Sequence, residues 1–113
     1  MEIQTAVAAM SALAHEGRLT VFRELVQAGP EGLAAGEVSR RVGIAPNTLS
    51  ASLTVLTHAG LVRSRRDGRS IIYAAQYEQM ATLLSYLVRD CCDGRPEVCA
   101  PLTAAVEKLV CCA

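Results

Sequence analysis

The spacing of apolar residues in this chain changes at Gly60 from a helical to a strand period, and that change restricts the fold more than any other feature. Before Gly60, apolar residues recur every three or four positions, which is typical of amphipathic helices. After it, residues 61–65 and 70–74 have the shorter period of strands, and Asp67-Gly68 between them is a strong hairpin signal. The sequence therefore predicts a mainly α fold that contains one two-stranded β-hairpin.

Glycine and proline divide the helical part of the chain into segments. Gly29-Pro30 and Gly43 each end a helix, because glycine suits the position after a helix and proline cannot continue one. The predicted helices span about residues 3–14, 16–28, 34–42, 46–59, 76–92 and 101–112. Two short helices around a turn at Ile44-Ala45, followed by a hairpin, form the winged helix–turn–helix arrangement.

Length and composition favour one small globular domain over residues 1–113. Of the 113 residues, 51% are hydrophobic and 19% are charged. We assign residues of about 33–75 to DNA reading and residues 91–113 to a C-terminal sensor segment. The helix at about 76–92 has a wide apolar stripe, so we expect it to pair with its twin in a homodimer, flanked by the helix at about 3–14.

Positive charge is concentrated in the middle of a chain whose formal net charge is zero. Residues 38–75 contain six arginines and a single acid, Asp67, so this segment carries +5 and the remainder carries −5. A basic middle between acidic ends is typical of a phosphate-binding face. The alternative is an arginine-rich surface that is merely solvated.

The helix at about 46–59 and the hairpin supply the candidate DNA contacts. The helix turns Leu49, Leu53 and Leu56 inward, and its other side carries small polar residues and no acid, which suits a major groove. Arginines on the hairpin suit the DNA backbone or the minor groove. The predicted DNA-binding residues are Asn47, Thr48, Ser50, Ser52, Arg63, Arg65, Arg66 and Arg69. A winged helix used only for protein contact is the alternative.

Five cysteines are an odd number for a set of disulfides. The sequence shows no targeting segment and no apolar run of membrane length, so we expect a cytoplasmic protein whose thiols are reduced. This setting favours metal binding or redox sensing over a disulfide framework. Because the sequence contains no nucleophile–base pair and no phosphate-binding glycine loop, we do not expect an enzyme.

Cys91, Cys92 and Cys99 fall within nine positions, around a loop with Gly94 and Pro96. Thiolates select soft ions, so this spacing predicts a three-thiolate ion site. Adjacent residues of a helix point about 100° apart, so we expect the helix end to unwind when Cys91 and Cys92 hold one ion. A strained disulfide, a redox-reactive thiol and small apolar core residues are the alternatives.

Cys111-Cys112 is a second adjacent pair, without a third cysteine nearby. We interpret these extra thiols as dispensable, or as a place where the ion is captured or exchanged. The predicted ion site therefore does not include them.

Four stretches of the sequence form a specific set when taken together. They are Leu13-Ala14-His15-Glu16-Gly17-Arg18-Leu19, Glu37-Val38 to Ile44, Thr48-Leu49-Ser50-Ala51-Ser52-Leu53-Thr54-Val55-Leu56-Thr57-His58-Ala59-Gly60-Leu61-Val62, and the wing Arg66-Asp67-Gly68-Arg69. This set resembles the ArsR/SmtB family of metal-responsive repressors over about residues 5–90. The resemblance implies a homodimer that binds a palindromic operator and leaves it when an inducer binds.

The chain departs from the family pattern on its predicted reading helix. Family members often carry basic residues and a histidine where this chain has Ala51 and Ser52. Sequence readout is therefore expected to rest on Asn47, Thr48 and Ser50.

The family's zinc sites differ from what this chain offers. They need acid and histidine pairs on the last long helix, whereas His15 and His58 lie outside it and are interpreted as helix-end residues. Many arsenic repressors carry their cysteines on the first helix of the DNA-binding pair, but residues 34–42 contain none.

The cysteine set instead resembles the C-terminal three-cysteine version of the arsenite-responsive repressors. This resemblance implies trivalent arsenic or antimony as the inducer, held by Cys91, Cys92 and Cys99, with no cofactor needed for DNA binding. Three thiolates and a trivalent ion form a neutral complex, whereas a structural zinc would want a fourth ligand, such as Asp90 or Asp93. The alternatives are a zinc or cadmium sensor, a thiol redox or persulfide-sensing repressor and, from another class, a soft-metal carrier or thiol oxidoreductase.

Overall fold

The helices and strands follow one another in the order of a winged helix–turn–helix. The structure is a computed structural model, and it describes residues 1–88, 100–102 and 104–105. Its helices are α1 (Ile3–Leu13), α2 (Glu16–Ala28), α3 (Ala35–Val42), α4 (Pro46–His58) and α5 (Tyr77–Val88). Its strands are β1 (Leu33–Ala34), β2 (Val62–Asp67) and β3 (Ser70–Ala75). The predicted fold class, mainly α with a β-hairpin wing, is confirmed.

The helix–turn–helix is formed by α3 and α4, and its turn is set by the residues that end one helix and begin the next. Gly43 follows α3 at a φ of 70°, a left-handed conformation that glycine adopts without steric cost. The Ser39 hydroxyl donates a hydrogen bond to the carbonyl of Ile44, across the turn. Pro46 is the first residue of α4, where its missing N–H is not needed.

The wing, which we define as β2 and β3 with the loop between them, belongs to a sheet of three strands in the order β1-β3-β2. The hairpin is antiparallel and pairs Asp67 with Ser70, so its two-residue loop is Gly68-Arg69, and β2 continues two residues beyond the strand predicted at 61–65. The short strand β1 was not predicted, because two residues are too few to show a hydrophobic period. It pairs Leu33 with Tyr73 of β3.

The core is aliphatic and centres on α2 and α4. Its largest fully buried side chains are Leu25, Leu49, Leu53, Leu56, Leu61, Val21 and Val38. Helix α1 contributes three buried alanines, Ala6, Ala9 and Ala12. The larger apolar residues of α1 remain outside this core: Ile3 and Val7 are 65% and 51% exposed. The small alanine side chains let α1 pack closely while its larger apolar residues stay at the surface.

The chain divides into two units, Met1–Leu83 and Leu84–Ala113. In the second unit, Leu84, Leu87 and Val88 at the end of α5 are exposed, and residues 100–102 and 104–105 are helical. The predicted continuation of α5 to residue 92 and most of the predicted helix at 101–112 lie outside the described residues. Among the helices that the structure describes, none is long and apolar enough to cross a membrane.

Gly32 is the glycine of the first unit where a Cβ atom would meet other atoms most closely. Its φ is 76°, and a Cβ atom there would lie 2.4 Å from the carbonyl oxygen of Tyr73. We expect Gly32→Ala to lower the free energy of unfolding by about 3 kcal/mol, from left-handed strain and from the clash with the sheet backbone. Gly43→Ala is the matched control, since φ is 70° and no atom lies within 4 Å, so only about 1 kcal/mol is expected. Urea unfolding measures both, and equal losses would contradict the close approach of Gly32 to the sheet.

Candidate nucleic-acid interface

The exposed side of α4 presents small polar side chains at the surface. Asn47, Thr48 and Ser50 are all exposed, as predicted, and the first turn of the helix contains no acid. No side chain caps the N-terminus of α4, because Ala45 occupies the N-cap position. The Asn47 side-chain oxygen instead accepts a hydrogen bond from the Thr48 N–H at 3.0 Å. This face is free of negative charge and can approach a phosphate backbone closely.

Ser52 is the one predicted contact on α4 that the structure places elsewhere. Its residue is only 7% exposed, so the expectation that it faces DNA is wrong. Ser52 follows Leu49 by three positions and precedes Leu56 by four, which puts it on the inward side of the helix. The helical spacing of Leu49, Ser52 and Leu56 thus indicates the inward position of Ser52, although serine is polar.

The two arginines of α3 contribute less positive charge to the surface than the sequence count suggested. Both pair with Glu37, which lies one position before the basic segment 38–75. Arg40 Nε and Arg41 Nε are 3.0 and 2.9 Å from its carboxylate oxygens. Arg41 also contacts Glu24 of α2 at 3.4 Å. These hydrogen bonds from Arg40 and Arg41 hold the pKa of the Glu37 carboxyl below its ordinary value. The unpaired positive charge is therefore shifted toward the wing.

The four wing arginines lie in different places on the sheet. Arg63 and Arg65 oppose Ala74 and Ile72 on one face, because directly paired residues of antiparallel strands share a face. Both point back to the loop after α2: Arg65 Nη1 donates to the Glu31 carbonyl at 3.0 Å, and Arg63 Nη2 donates to a neighbouring carbonyl at 3.5 Å. They therefore already have backbone partners within the chain.

Arg66 and Arg69 are placed differently. Arg66 shares its face of the sheet with Ser64 and Tyr73, which line a cavity of about 180 Å³ together with α4 residues that include Thr54. Arg69 occupies the loop at the tip of the wing. Both are exposed, and within the part of the chain that the structure describes neither side chain makes a hydrogen bond or ion pair. These two arginines are the better candidates for phosphate contacts.

The two histidines act as helix-end residues, as predicted. His15 is the N-cap of α2, where its Nδ1 accepts a hydrogen bond from the Arg18 N–H at 3.3 Å. His58 is the exposed last residue of α4. Among the described residues, no three His, Cys, Asp or Glu side chains are grouped in a way that would hold a metal ion.

The cysteine site remains a prediction. Cys91, Cys92 and Cys99 lie outside the described residues, as do Cys111 and Cys112. The structure therefore describes the predicted DNA-binding residues and does not describe the predicted ion-binding cysteines.

Known proteins share the architecture just described. A helix-turn-helix domain model matches residues 13–65. The regulator YgaV of Escherichia coli, described as a helix-turn-helix transcriptional regulator, is 30% identical over 84 residues, which cover 74% of this chain and 83% of YgaV. A Halobacterium salinarum protein provisionally named as the arsenical resistance operon repressor ArsR is 40% identical over 67 residues, or 59% of this chain and 51% of that protein. The chain belongs to the ArsR family.

Solved structures of ArsR-type regulators have the same fold. An ArsR-like transcriptional regulator from Rhodococcus sp. RHA1 superposes with a TM-score of 0.71 over 94% of this chain and 92% of its own, at 23% identity, and this shows the fold alone. The homodimeric winged helix-turn-helix DNA-binding domain of Mb0332 from Mycobacterium bovis, described as a possible ArsR-family regulator, superposes with a TM-score of 0.64 at 29% identity and 84% coverage of both chains. This ArsR-family chain is thus a helix-turn-helix transcriptional regulator and not an enzyme.

Two serines of α4 give a matched test of the reading face. Ser50→Ala removes an exposed hydroxyl and is expected to weaken binding to the preferred DNA site by roughly fivefold, about 1 kcal/mol for one lost hydrogen bond. Ser52→Ala makes the same chemical change on the inward face and should alter the affinity by less than about twofold. Fluorescence anisotropy measures both, on a duplex selected by the wild-type protein from a random pool. A larger effect at Ser52 would contradict the assignment of the two faces.

The salt dependence of DNA binding tests the contribution of the two unpaired wing arginines. Arg66→Ala and Arg69→Ala should each reduce the slope of log affinity against log salt concentration by about 1, because each removes one phosphate contact. The control is Arg23→Ala, which removes the same charge from an exposed position of α2 beside Glu24. Its salt slope should equal that of the wild type. Equal slopes for all three variants would show that the wing does not contact phosphates.

Proposed function

We propose that this chain is a homodimeric transcriptional repressor that binds operator DNA in its metal-free state. It is released when trivalent arsenic or antimony binds Cys91, Cys92 and Cys99. The observation that carries this proposal is the pairing of an ArsR-family reading head with three cysteines just beyond the described part of α5. The similarity to a protein named as an arsenical resistance repressor supports the choice of inducer.

The chemistry of the cysteines favours a trivalent metalloid. Thiolates prefer soft ions, and three thiolates neutralise a trivalent ion, which makes the complex less costly to remove from water. Zinc sites usually have four ligands, so a set of three sulfurs suits zinc less well. In the cytoplasm, where we propose that the protein acts, the thiols are kept reduced and available to the ion.

Release of DNA follows from a geometric conflict at the two adjacent cysteines. On a regular helix Cys91 and Cys92 would point about 100° apart, so they cannot both reach one ion without local unwinding. The following Gly94 and Pro96 favour such unwinding, because one has a permissive backbone and the other cannot continue a helix. Ion binding is thereby coupled to a conformational change, and this coupling must act in both directions.

The dimer is supported by apolar side chains that the single chain leaves uncovered. Ile3, Val7 and Met10 lie along one side of α1 and are 65%, 51% and 38% exposed. Leu84 and Leu87 on α5 are also about half exposed. Such stripes are costly in water and are covered when two copies pair. The homodimeric state of the Mb0332 domain is consistent with this proposal.

Operator binding during an arsenite titration tests the proposed function. Fluorescence anisotropy should show operator affinity falling by at least about tenfold when arsenite reaches one equivalent per subunit, within the usual range of allosteric coupling. Cys91→Ser, Cys92→Ser and Cys99→Ser should each abolish the response while leaving metal-free DNA binding intact. Cys111→Ser is the matched control and should respond like the wild type.

The same titration separates the alternatives. Release by a mild oxidant but not by arsenite would replace the metalloid with a thiol redox mechanism. Release by zinc or cadmium but not by arsenite would identify a divalent metal sensor. A Cys99→Ser variant that responds to arsenite like the wild type would show that the three-sulfur set is wrong.

A further inference from the structure

The loop after α2 is held in a compact conformation by its own backbone. The N–H of Gly32 donates to the carbonyl of Gly29 at 3.1 Å, and both glycines have positive φ values, 76° and 92°. A Cβ on Gly32 would meet the backbone of Tyr73, so the loop also lies directly against β3. The connector formed by residues 25–32, which comprises the end of α2 and this loop, is therefore rigid rather than a loose link.

Tyr77, the first residue of α5, is bonded to one end of this connector. Its hydroxyl donates to the carbonyl of Val26 at 2.9 Å and lies 3.5 Å from that of Leu25. These carbonyls belong to the last turn of α2, where a helix has no backbone donors of its own left and where this helix has no basic residue. The Tyr77 hydroxyl thus supplies a hydrogen-bond donor to the end of α2, where the last turn of the helix has no basic side chain to supply one.

Arg65 of β2 is bonded to the other end of the connector. Its guanidinium donates to the Glu31 carbonyl at 3.0 Å, and Arg63 reaches the Pro30 carbonyl at 3.5 Å. Neither arginine forms an ion pair with an acidic side chain among the described residues. The Arg65 bond is the shorter of the two, and its length is typical of an N–H···O hydrogen bond.

The base of α5 is thereby attached to the wing at two separate places. One is direct, since Gln76 follows β3 and its N–H donates to the Leu61 carbonyl at 2.8 Å. The other runs from Tyr77 through the connector to Arg65. A second attachment restricts rotation of the helix base relative to the sheet more than a single attachment does.

We propose that Tyr77 and Arg65 are positioning residues that couple the base of α5 to the wing through the connector formed by residues 25–32. This inference rests on the proposed function, because it concerns how a change at the cysteine end of α5 is conveyed to DNA. Arg65 then acts by joining the wing to the connector, and the phosphate contacts belong to Arg66 and Arg69.

Removal of one hydroxyl tests the connection. Tyr77→Phe keeps the ring and should reduce the ratio of operator dissociation constants with and without arsenite by roughly threefold or more. Arsenite stoichiometry and metal-free operator binding should stay near wild-type values. Tyr73→Phe is the matched control, since it removes a hydroxyl from β3 that makes no hydrogen bond within the described residues, and its ratio should equal that of the wild type. An unchanged ratio in Tyr77→Phe would overturn the proposal.

Arg65 supplies a second test, in which the two residues are combined. Arg65→Ala should lower the same ratio, and the double variant with Tyr77→Phe should lose no more than the worse single variant, because both act on one connection. Arg65→Lys, which retains a donor for the Glu31 carbonyl, should recover part of the coupling. Effects that multiply independently would contradict a shared route.

Hydrogen exchange without DNA or arsenite separates this inference from the proposed inducer. In Tyr77→Phe, amides of β2 should exchange roughly threefold faster or more, although Tyr77 is fifteen positions from Val62, because the wing has lost one attachment. If arsenite does not release the wild-type protein from DNA but the β2 amides exchange faster in Tyr77→Phe, the proposed inducer is wrong and the proposed connection is supported. If β2 exchanges at the wild-type rate, the connection is wrong whatever the inducer.

Discussion

The burial of one side of α4 is the constraint on which the rest of the structure depends. Leu49, Leu53 and Leu56 are at most 2% exposed, and α4 contacts α1, α2, α3 and β2. Each such side chain contributes about 1.5–3 kcal/mol through removal from water. Because this face is fixed in the core, the opposite face is fixed at the surface, and the reading residues need no further support to be presented to DNA.

Much of this arrangement was predictable, because helices of this chain begin and end at residues with strong local preferences. Gly29, Gly43 and Pro46 mark boundaries that the structure reproduces. The features that escaped prediction depend on tertiary contacts. Strand β1 exists only because β3 lies beside it, and the partners of Arg65 and Tyr77 are carbonyls that are distant in sequence. Ser52 is different, since its spacing from Leu49 and Leu56 alone indicates that it faces inward.

Charge shows the same division between composition and structure. The six arginines of residues 38–75 correctly indicate a basic middle of the chain, but the sequence alone does not distinguish one arginine from another. Glu37 and Glu24 together balance the charge of two of them, and backbone carbonyls fix the guanidinium groups of two more. What remains for DNA is concentrated on the tip of the wing and beside α4. A phosphate-binding face is thus defined by what is left unpaired and not by the total.

The proposed switch depends on adjacent cysteines that a regular helix cannot direct at a single ion. The most direct test is arsenic X-ray absorption of the whole chain loaded with one equivalent of arsenite per subunit. Three sulfur neighbours and no oxygen neighbour are predicted for the wild type, with one sulfur lost in Cys99→Ser. An arsenic atom that keeps oxygen ligands in the wild type, or a spectrum that Cys99→Ser leaves unchanged, would contradict a three-thiolate inducer site.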